Sequence, residues 1–343
     1  MCGAHYNARV RVHSSAPTRI DLAGGTLDIW PLYLFHDNAQ TINFAITRRA
    51  ECRLEPRTDG RLRIFAEDTR ATAEVDDVSE LDDRHELRLV ARLSRYFGAA
   101  GMTISTRSGS PVGAGLGGSS ALTIAVCAAL ARWCEREIDT ETLIQLALDL
   151  EAQVLAVPTG VQDYRPATYG GVAALELQPG GVVRVPLAVD VDALADRIVL
   201  IYTGQSRDSG INNWEITKRH IDGDQRTIDL FDDIRDVAIS MRNALETEQW
   251  NEVSRQISLE WELRKRLASG VTTDRLEMLI NLGRRAGALA ATVCGAGGGG
   301  CLVFFAEPDA TDPVRETFKN ADVQILDCRV DTEGLRVAVD FDE

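Results

Sequence analysis

The stretch Pro111-Val-Gly-Ala-Gly-Leu-Gly-Gly-Ser-Ser-Ala121 constrains this chain most, because four glycines run into two serines and then into an apolar segment, Leu122 to Trp133. Glycine reaches backbone angles closed to other residues, and the first turn of a helix presents amide N–H groups that have no partner inside the helix. A loop of this kind opening a helix turns several backbone donors, and the positive end of the helix dipole, toward an anion. Ser119 or Ser120 is left to cap the helix or to reach a metal ion. A plain glycine turn ahead of a core helix has the same composition, so the stretch needs company before it reads as a phosphate site. A P-loop is excluded: Gly113 and Gly118 have its spacing, but Ser119 stands where the lysine belongs.

Carboxylates supply the company. Glu151 has Ala147, Leu148, Val154 and Leu155 at three and four residues to either side, so it projects from the apolar face of its helix. A charge there needs a cation, and a magnesium ion escorting ATP would supply one; a glutamate that bends into solvent or pairs with an arginine is the alternative. Within Pro158-Thr-Gly-Val-Gln-Asp-Tyr-Arg-Pro-Ala-Thr-Tyr-Gly-Gly171, Asp163 is the single carboxylate of a turn-rich segment. It suits a general base for an attacking hydroxyl, kept ionised by a nearby arginine, and it suits a turn former. Near the start, Pro17-Thr-Arg-Ile-Asp-Leu-Ala-Gly-Gly-Thr-Leu-Asp28 sets Arg19 in a strand, then a glycine turn, then Asp28, which can accept hydrogen bonds from sugar hydroxyls. Val293-Cys-Gly-Ala-Gly-Gly-Gly-Gly-Cys-Leu-Val-Phe-Phe305 contains G-x-G-x-x-G, but its glycines precede a strand and do not open a helix, which argues against a dinucleotide site. They let the backbone come close to phosphate or substrate.

Around these motifs the patterning predicts an α+β chain. Arg9 to His13, Ala50 to Glu55 and Arg61 to Phe65 alternate apolar and polar residues as strands do. Helices are expected over Leu122 to Trp133, Glu141 to Leu155, within Ile228 to Ala268, and over Leu276 to Ala290, with closing strands at Cys301 to Phe305 and Leu335 to Val339. A length of 343 residues suits two abutting domains, placed at 1–190 and 191–343. With 37 Lys and Arg against 52 Asp and Glu the formal charge is -15, which excludes a basic nucleic-acid surface. The seven cysteines lack metal-ligand spacing and read as reduced, mostly buried thiols. The N-terminus has no apolar signal core, and no apolar run reaches the roughly 20 residues that span a bilayer. No membrane contact and a cytoplasmic location are expected.

The three glycine blocks, Arg19 to Asp28, Pro111 to Ala121 and Cys294 to Cys301, together resemble in order and spacing the motifs of the GHMP kinases, the superfamily of galactokinase, homoserine kinase, mevalonate kinase and phosphomevalonate kinase. Arg-Ile-Asp-Leu-Ala-Gly-Gly and Val-Gln-Asp-Tyr are most similar to the branch of D-glycero-D-manno-heptose 7-phosphate kinase and fucokinase. The resemblance implies a two-domain fold, the first domain like domain 2 of ribosomal protein S5 and the second ferredoxin-like. It implies transfer of the γ-phosphoryl group of ATP, with Mg2+, to a hydroxyl of a sugar or sugar phosphate; the oligomeric state is left open, a homodimer among the options. Alternatives are an isoprenoid-type kinase or ATP-dependent decarboxylase of the same fold, and a sugar or ATP sensor without turnover. Carried over residue by residue, Asp163 and Arg19 are catalytic, and Pro111, Gly113, Ala114, Gly115, Leu116, Gly117, Gly118, Ser119 and Ser120 hold ATP. Ser119 and Glu151 hold the metal. Gly25, Thr26, Asp28, Arg165, Tyr169, Gly170, Gly297 and Gly298 are expected around the acceptor, Arg165 as the partner of an acidic substituent. Where heptose kinases carry Gly-Gly-Thr-Asp, this chain has Gly25-Thr-Leu-Asp28.

Overall fold

Alternating strands at both ends of the chain meet in one sheet. The computed structural model describes residues 10–82, 86–205 and 210–341, so Cys2 and Arg9 lie outside the described residues. Strand β1 (Val10–Ala23) pairs antiparallel with β2 (Gln40–Pro56), from Val12 opposite Leu54 to Ala23 opposite Ile42. Next come β3 (Leu62–Ala66), β4 (Thr72–Val75), β5 (Met102–Ser108), β6 (Val172–Gln178) and β7 (Gly181–Pro186). A second sheet holds β8 (Ile198–Tyr202), β9 (Ala288–Val293), β10 (Cys301–Ala306) and β11 (Gln324–Leu326), in the order β11-β8-β10-β9. The last strand, β12 (Arg336–Phe341), returns to the first sheet with Phe341 opposite Val10. That sheet runs β12-β1-β2-β5-β3-β4, with β6 beside β2 and β7 beside β6. The length of β2 makes this possible: Gln40 to Phe44 pairs with β6 and Ala50 to Pro56 with β5.

Helices α1 (Arg88–Phe97), α2 (Gly118–Trp133), α3 (Thr140–Leu155) and the short α4 (Tyr164–Tyr169) accompany the first sheet. Their core joins Val12, Leu54 and Ile104 of the strands to Leu93, Ile124 and Ala147 of the helices. Helix α2 is apolar almost all round, which only a buried helix can be. It starts four residues ahead of the expected Leu122, because Gly117, with φ 69°, turns the glycine loop directly into the first helical turn. Helix α3 starts where Asp139 accepts a hydrogen bond from the Thr142 amide at 3.0 Å, an N-cap.

The second sheet carries α5 (Val191–Ala195), α6 (Gly210–Ile221), α7 (Gln225–Glu246), α8 (Trp250–Leu267), α9 (Asp274–Arg285) and α10 (Thr311–Phe318) around it. Strand β10 is buried along its whole length. Alternate side chains leave it in opposite directions: Leu302 and Phe304 join Leu276 and Phe318, while Val303 and Phe305 join Met241 and Ile257 together with Ile20 and Phe44 of the first sheet. One apolar layer is therefore common to both sheets. The helix expected to reach Ala290 stops at Arg285, since Gly287, with φ 112°, breaks it and Ala288 to Val293 pair as β9. Cys52, Cys127, Cys294, Cys301 and Cys328 are free thiols, as expected, whereas Cys134 is disulfide-bonded and departs from that reading. No helix among the described residues is long and apolar enough to cross a membrane.

Candidate active site

The three glycine blocks converge on one cleft of about 940 Å3. Its floor is a contact between loops: the Cys301 amide donates to the Ala114 carbonyl at 2.8 Å, and a Cβ on Gly115 would stand 2.4 Å from the Cys294 carbonyl oxygen. A Cβ on Gly295 would in turn stand 2.8 Å from the Cα of Gly115, so neither loop tolerates a side chain there. The third block was expected to approach phosphate or substrate. Gly295, Gly297 and Gly299 do line the cleft, but the block's nearest neighbour is the second glycine loop itself.

One half of the cleft is built around the start of α2. Gly117 is its N-cap, no side chain caps it, and Gly118, Ser119 and Ser120 line the cleft, so the free amides of a long helix open onto it. Pro111, Gly113, Ala114, Gly115 and Leu116 line the same wall, with Leu87, Val90 and Val154 giving it an apolar end. Glu151 reaches this wall from α3 and is buried, as its apolar neighbours required. Burial raises its pKa, against hydrogen bonds from Ser119, Tyr164 and Ser120 that favour the carboxylate. The Thr123 hydroxyl adds a contact of 3.3 Å. Among the described residues no three His, Cys, Asp or Glu side chains are grouped to hold a metal ion. A single carboxylate flanked by hydroxyls does fit a magnesium ion that keeps most of its ligands from nucleotide phosphates and water.

At the centre, Arg19 on β1 meets Asp163, the residue ahead of α4. Its Nε and Nη2 lie 2.8 and 2.7 Å from Asp163 Oδ1, which leaves Oδ2 on the side of Gly117. Arg19 Nη1 donates to the Gly115 carbonyl at 2.6 Å, so the same guanidinium fixes the phosphate loop. Burial opposes the charge on Arg19, but Asp163 and Asp21 outweigh it and its pKa is raised.

The other half is polar. Asp28 is buried and accepts the Gln162 amide at 3.0 Å. Burial, reinforced by the charge of Asp163, pushes its pKa up to about 7. Gly25, Thr26, Ile29, Gln162 and Asn213 complete this end. Four expected acceptor residues are not in it. Arg165 turns to Glu141 on α3, 2.8 Å away, and the Tyr169 hydroxyl donates to the same carboxylate at 2.8 Å, because α4 directs those side chains away from Asp163. Gly170 packs against Gly334 and Asp331, and the Gly298 amide donates to the Val271 carbonyl at 2.6 Å. Among the cleft residues that the sequence reading did not single out are Asp21, Gln162 and Tyr164. Asp21, 3.1 Å from Arg19, lies two positions along the same strand and so on its face, a signal that was there to read. Gln162 and Tyr164 flank Asp163, and nothing in their sequence tells which way each one points.

Comparison with known proteins agrees with this geometry. Residues 86–171 match the GHMP kinases N terminal domain and residues 241–323 the GHMP kinases C terminal domain. The chain is 28% identical to the D-glycero-alpha-D-manno-heptose 7-phosphate kinase of Campylobacter jejuni, over 95% of this chain and 98% of that one. It is 28% identical to the mevalonate kinase of Thermococcus sibiricus, over 96% and 98%. The crystal structure of a D-glycero-D-manno-heptose 1-phosphate kinase from Bacteroides thetaiotaomicron superimposes with a TM-score of 0.78 at 25% identity, covering 95% of this chain and 98% of that one. With both of the family's domains matched in order around one cleft, this chain belongs to the GHMP kinases.

Proposed function

We propose that the chain transfers the γ-phosphoryl group of ATP to a hydroxyl of a sugar or sugar phosphate. The observation that carries this is the position of Asp163, with one oxygen held by Arg19 and the other toward the cleft, between the start of α2 and the polar end at Asp28. The open amides of α2 and the glycine loop suit the ATP phosphates. Asp163 accepts the proton of the acceptor hydroxyl as its oxygen bonds to the γ-phosphorus and the bond to the ADP oxygen breaks. Arg19 holds the base and lies beside the charge that moves. Ser119 and Glu151 would hold Mg2+, which shields phosphate charge when bound. Thr26, Gly25 and Asp28 supply hydrogen bonds to the sugar. Base and metal ligand standing together favour an enzyme over a sensor.

We place the domain boundary at residues 190 and 191, between β7 and β8, with β12 returning to the sheet of the first domain, and the activity in the cytoplasm. An isoprenoid-type acceptor is the second reading, favoured by the similarity to a mevalonate kinase at equal identity. A coupled ADP-release assay with Mg-ATP and, separately, D-glycero-D-manno-heptose 7-phosphate, L-fucose, D-galactose and mevalonate decides. Turnover with a sugar is expected. Turnover with mevalonate alone would replace the first reading by the second, and none with any acceptor would overturn both.

A further inference from the structure

Helix α8 contains none of the three glycine motifs, yet two of its side chains hold two of them. Glu260 is buried and accepts the Gly24 amide at 3.1 Å and the Gly25 amide beside it. One turn along, buried Arg264 donates to the Val293 carbonyl at 2.9 Å and to the Gly295 carbonyl. Residues four apart share one helix face, so α8 grips the first and third glycine blocks from one side. Gly295 in turn abuts Gly115 of the second block.

The segment under Glu260 has little freedom. Gly24 has φ 83°, and a Cβ there would stand 2.2 Å from the Gln40 carbonyl oxygen. The turn continues with the Leu27 amide on the Gly24 carbonyl at 3.2 Å and with Thr26 at φ 80°, and it delivers Thr26 and Asp28 to the cleft. The other oxygen of Glu260, Oε2, is buried without a hydrogen-bond partner. An unpaired buried oxygen costs stability, so the carboxyl is not there for its own burial. What Glu260 contributes is therefore position.

We infer that Glu260 is a positioning residue for the acceptor: by holding the Gly24 and Gly25 amides it fixes where Thr26 and Asp28 stand relative to Asp163. The inference rests on the kinase reading for its effect on turnover, but its effect on the turn does not depend on that reading. Burial pushes the Glu260 carboxyl to about 8, so near neutral pH it keeps its proton and accepts through its carbonyl oxygen. Glutamine carries the same acceptor, which makes Glu260→Gln the conservative variant and Glu260→Leu the disruptive one.

Three measurements on the full chain test it. In Glu260→Leu, deuterium uptake by the amides of residues 24–28 should speed up about tenfold, the equivalent of one lost hydrogen bond, and Glu260→Gln should restore it. The thermal midpoint should fall in Glu260→Leu, which leaves the buried Gly24 amide without its acceptor, and recover in Glu260→Gln. With the sugar that the ADP-release assay identifies, KM for the sugar should rise about tenfold in Glu260→Leu while the affinity for a non-hydrolysable ATP analogue stays within twofold. Unchanged uptake at residues 24–28 would overturn the inference, as would an equal loss of sugar and nucleotide affinity or a failure of glutamine to rescue. If the wild type turns over no acceptor the kinase reading falls, and the exchange data still decide for or against Glu260.

Discussion

The two halves of the cleft are built by different means. The phosphate-facing half comes from one continuous run, Pro111 to Ser120, plus Glu151, and its donors are backbone amides that any sequence with the right glycines presents. The acceptor half draws on side chains from residues 25–29, 162–163 and 213, segments far apart in the chain, with Glu260 holding one of them from behind. A backbone site is robust to the side chains around it and general for phosphate. A side-chain site is selective because each carboxyl and amide must be aimed by packing elsewhere. Asp163 and Arg19 stand where the halves meet, so changes there should differ in kind from changes on either side.

The largest effect is expected at that junction. Asp163→Asn keeps the shape but removes the proton acceptor, and kcat should fall by about 10²- to 10⁴-fold. The affinity for an ATP analogue, measured by calorimetry, should hold within a few-fold, because the phosphate half is untouched. Full turnover in this variant would take Asp163 out of the mechanism. Next comes Glu151→Gln, which acts on the phosphate half alone: the magnesium concentration for half-maximal rate should rise about 10- to 100-fold, with KM for the sugar unmoved. An unaltered magnesium titration would return Glu151 to a structural carboxylate.

This division also governs what could be read before the fold was known. The phosphate loop, its helix and Glu151 are local facts: glycine spacing, an apolar run, and a carboxylate at helical spacing from apolar neighbours. Parts of β1, β2, β3, β10 and β12 are legible as strands, and Ala288 to Ala290 at the start of β9 reads as helix because Leu276 to Ala290 stays apolar at helical spacing across Gly287. The acceptor half was legible only in part. Asp28 stands out as a carboxylate after a glycine turn, but Arg165, two residues past Asp163, points there on charge alone and packs on Glu141 instead. Glu260 follows the rule that found Glu151, lying three residues after Ile257 and three before Leu263 on the buried face of its helix. Without a motif nearby, a single buried glutamate in a charged helix gave no sign of what it holds.

A smaller effect tests the electrostatic side of the comparison. Burial raises both Asp28, to about 7, and Glu260, to about 8, above the ordinary carboxylate range near 4. A carboxyl whose folded pKa exceeds its unfolded one stabilises fully below the unfolded value, and the contribution is lost as pH rises through the folded one. Stability to urea should therefore decline between about pH 5 and pH 8, by on the order of a few kcal/mol for the pair. Asp28→Asn should flatten part of that decline. A slope identical in the variant would mean that the acceptor half does not carry these protons.

The smallest effect marks the edge of the acceptor half. Arg165 was the one cation whose loss was expected to separate acidic acceptors from neutral ones, but its side chain is 8% exposed and bound to Glu141, which is 55% exposed. A partly buried guanidinium of this kind contributes through packing as much as through charge, since its partner is screened by water. Arg165→Ala should lower stability by about 1 kcal/mol and leave KM within twofold for L-fucose and for D-glycero-D-manno-heptose 7-phosphate alike. A KM increase confined to the phosphorylated sugar would extend the acceptor half as far as α4 and make Arg165 a specificity residue after all.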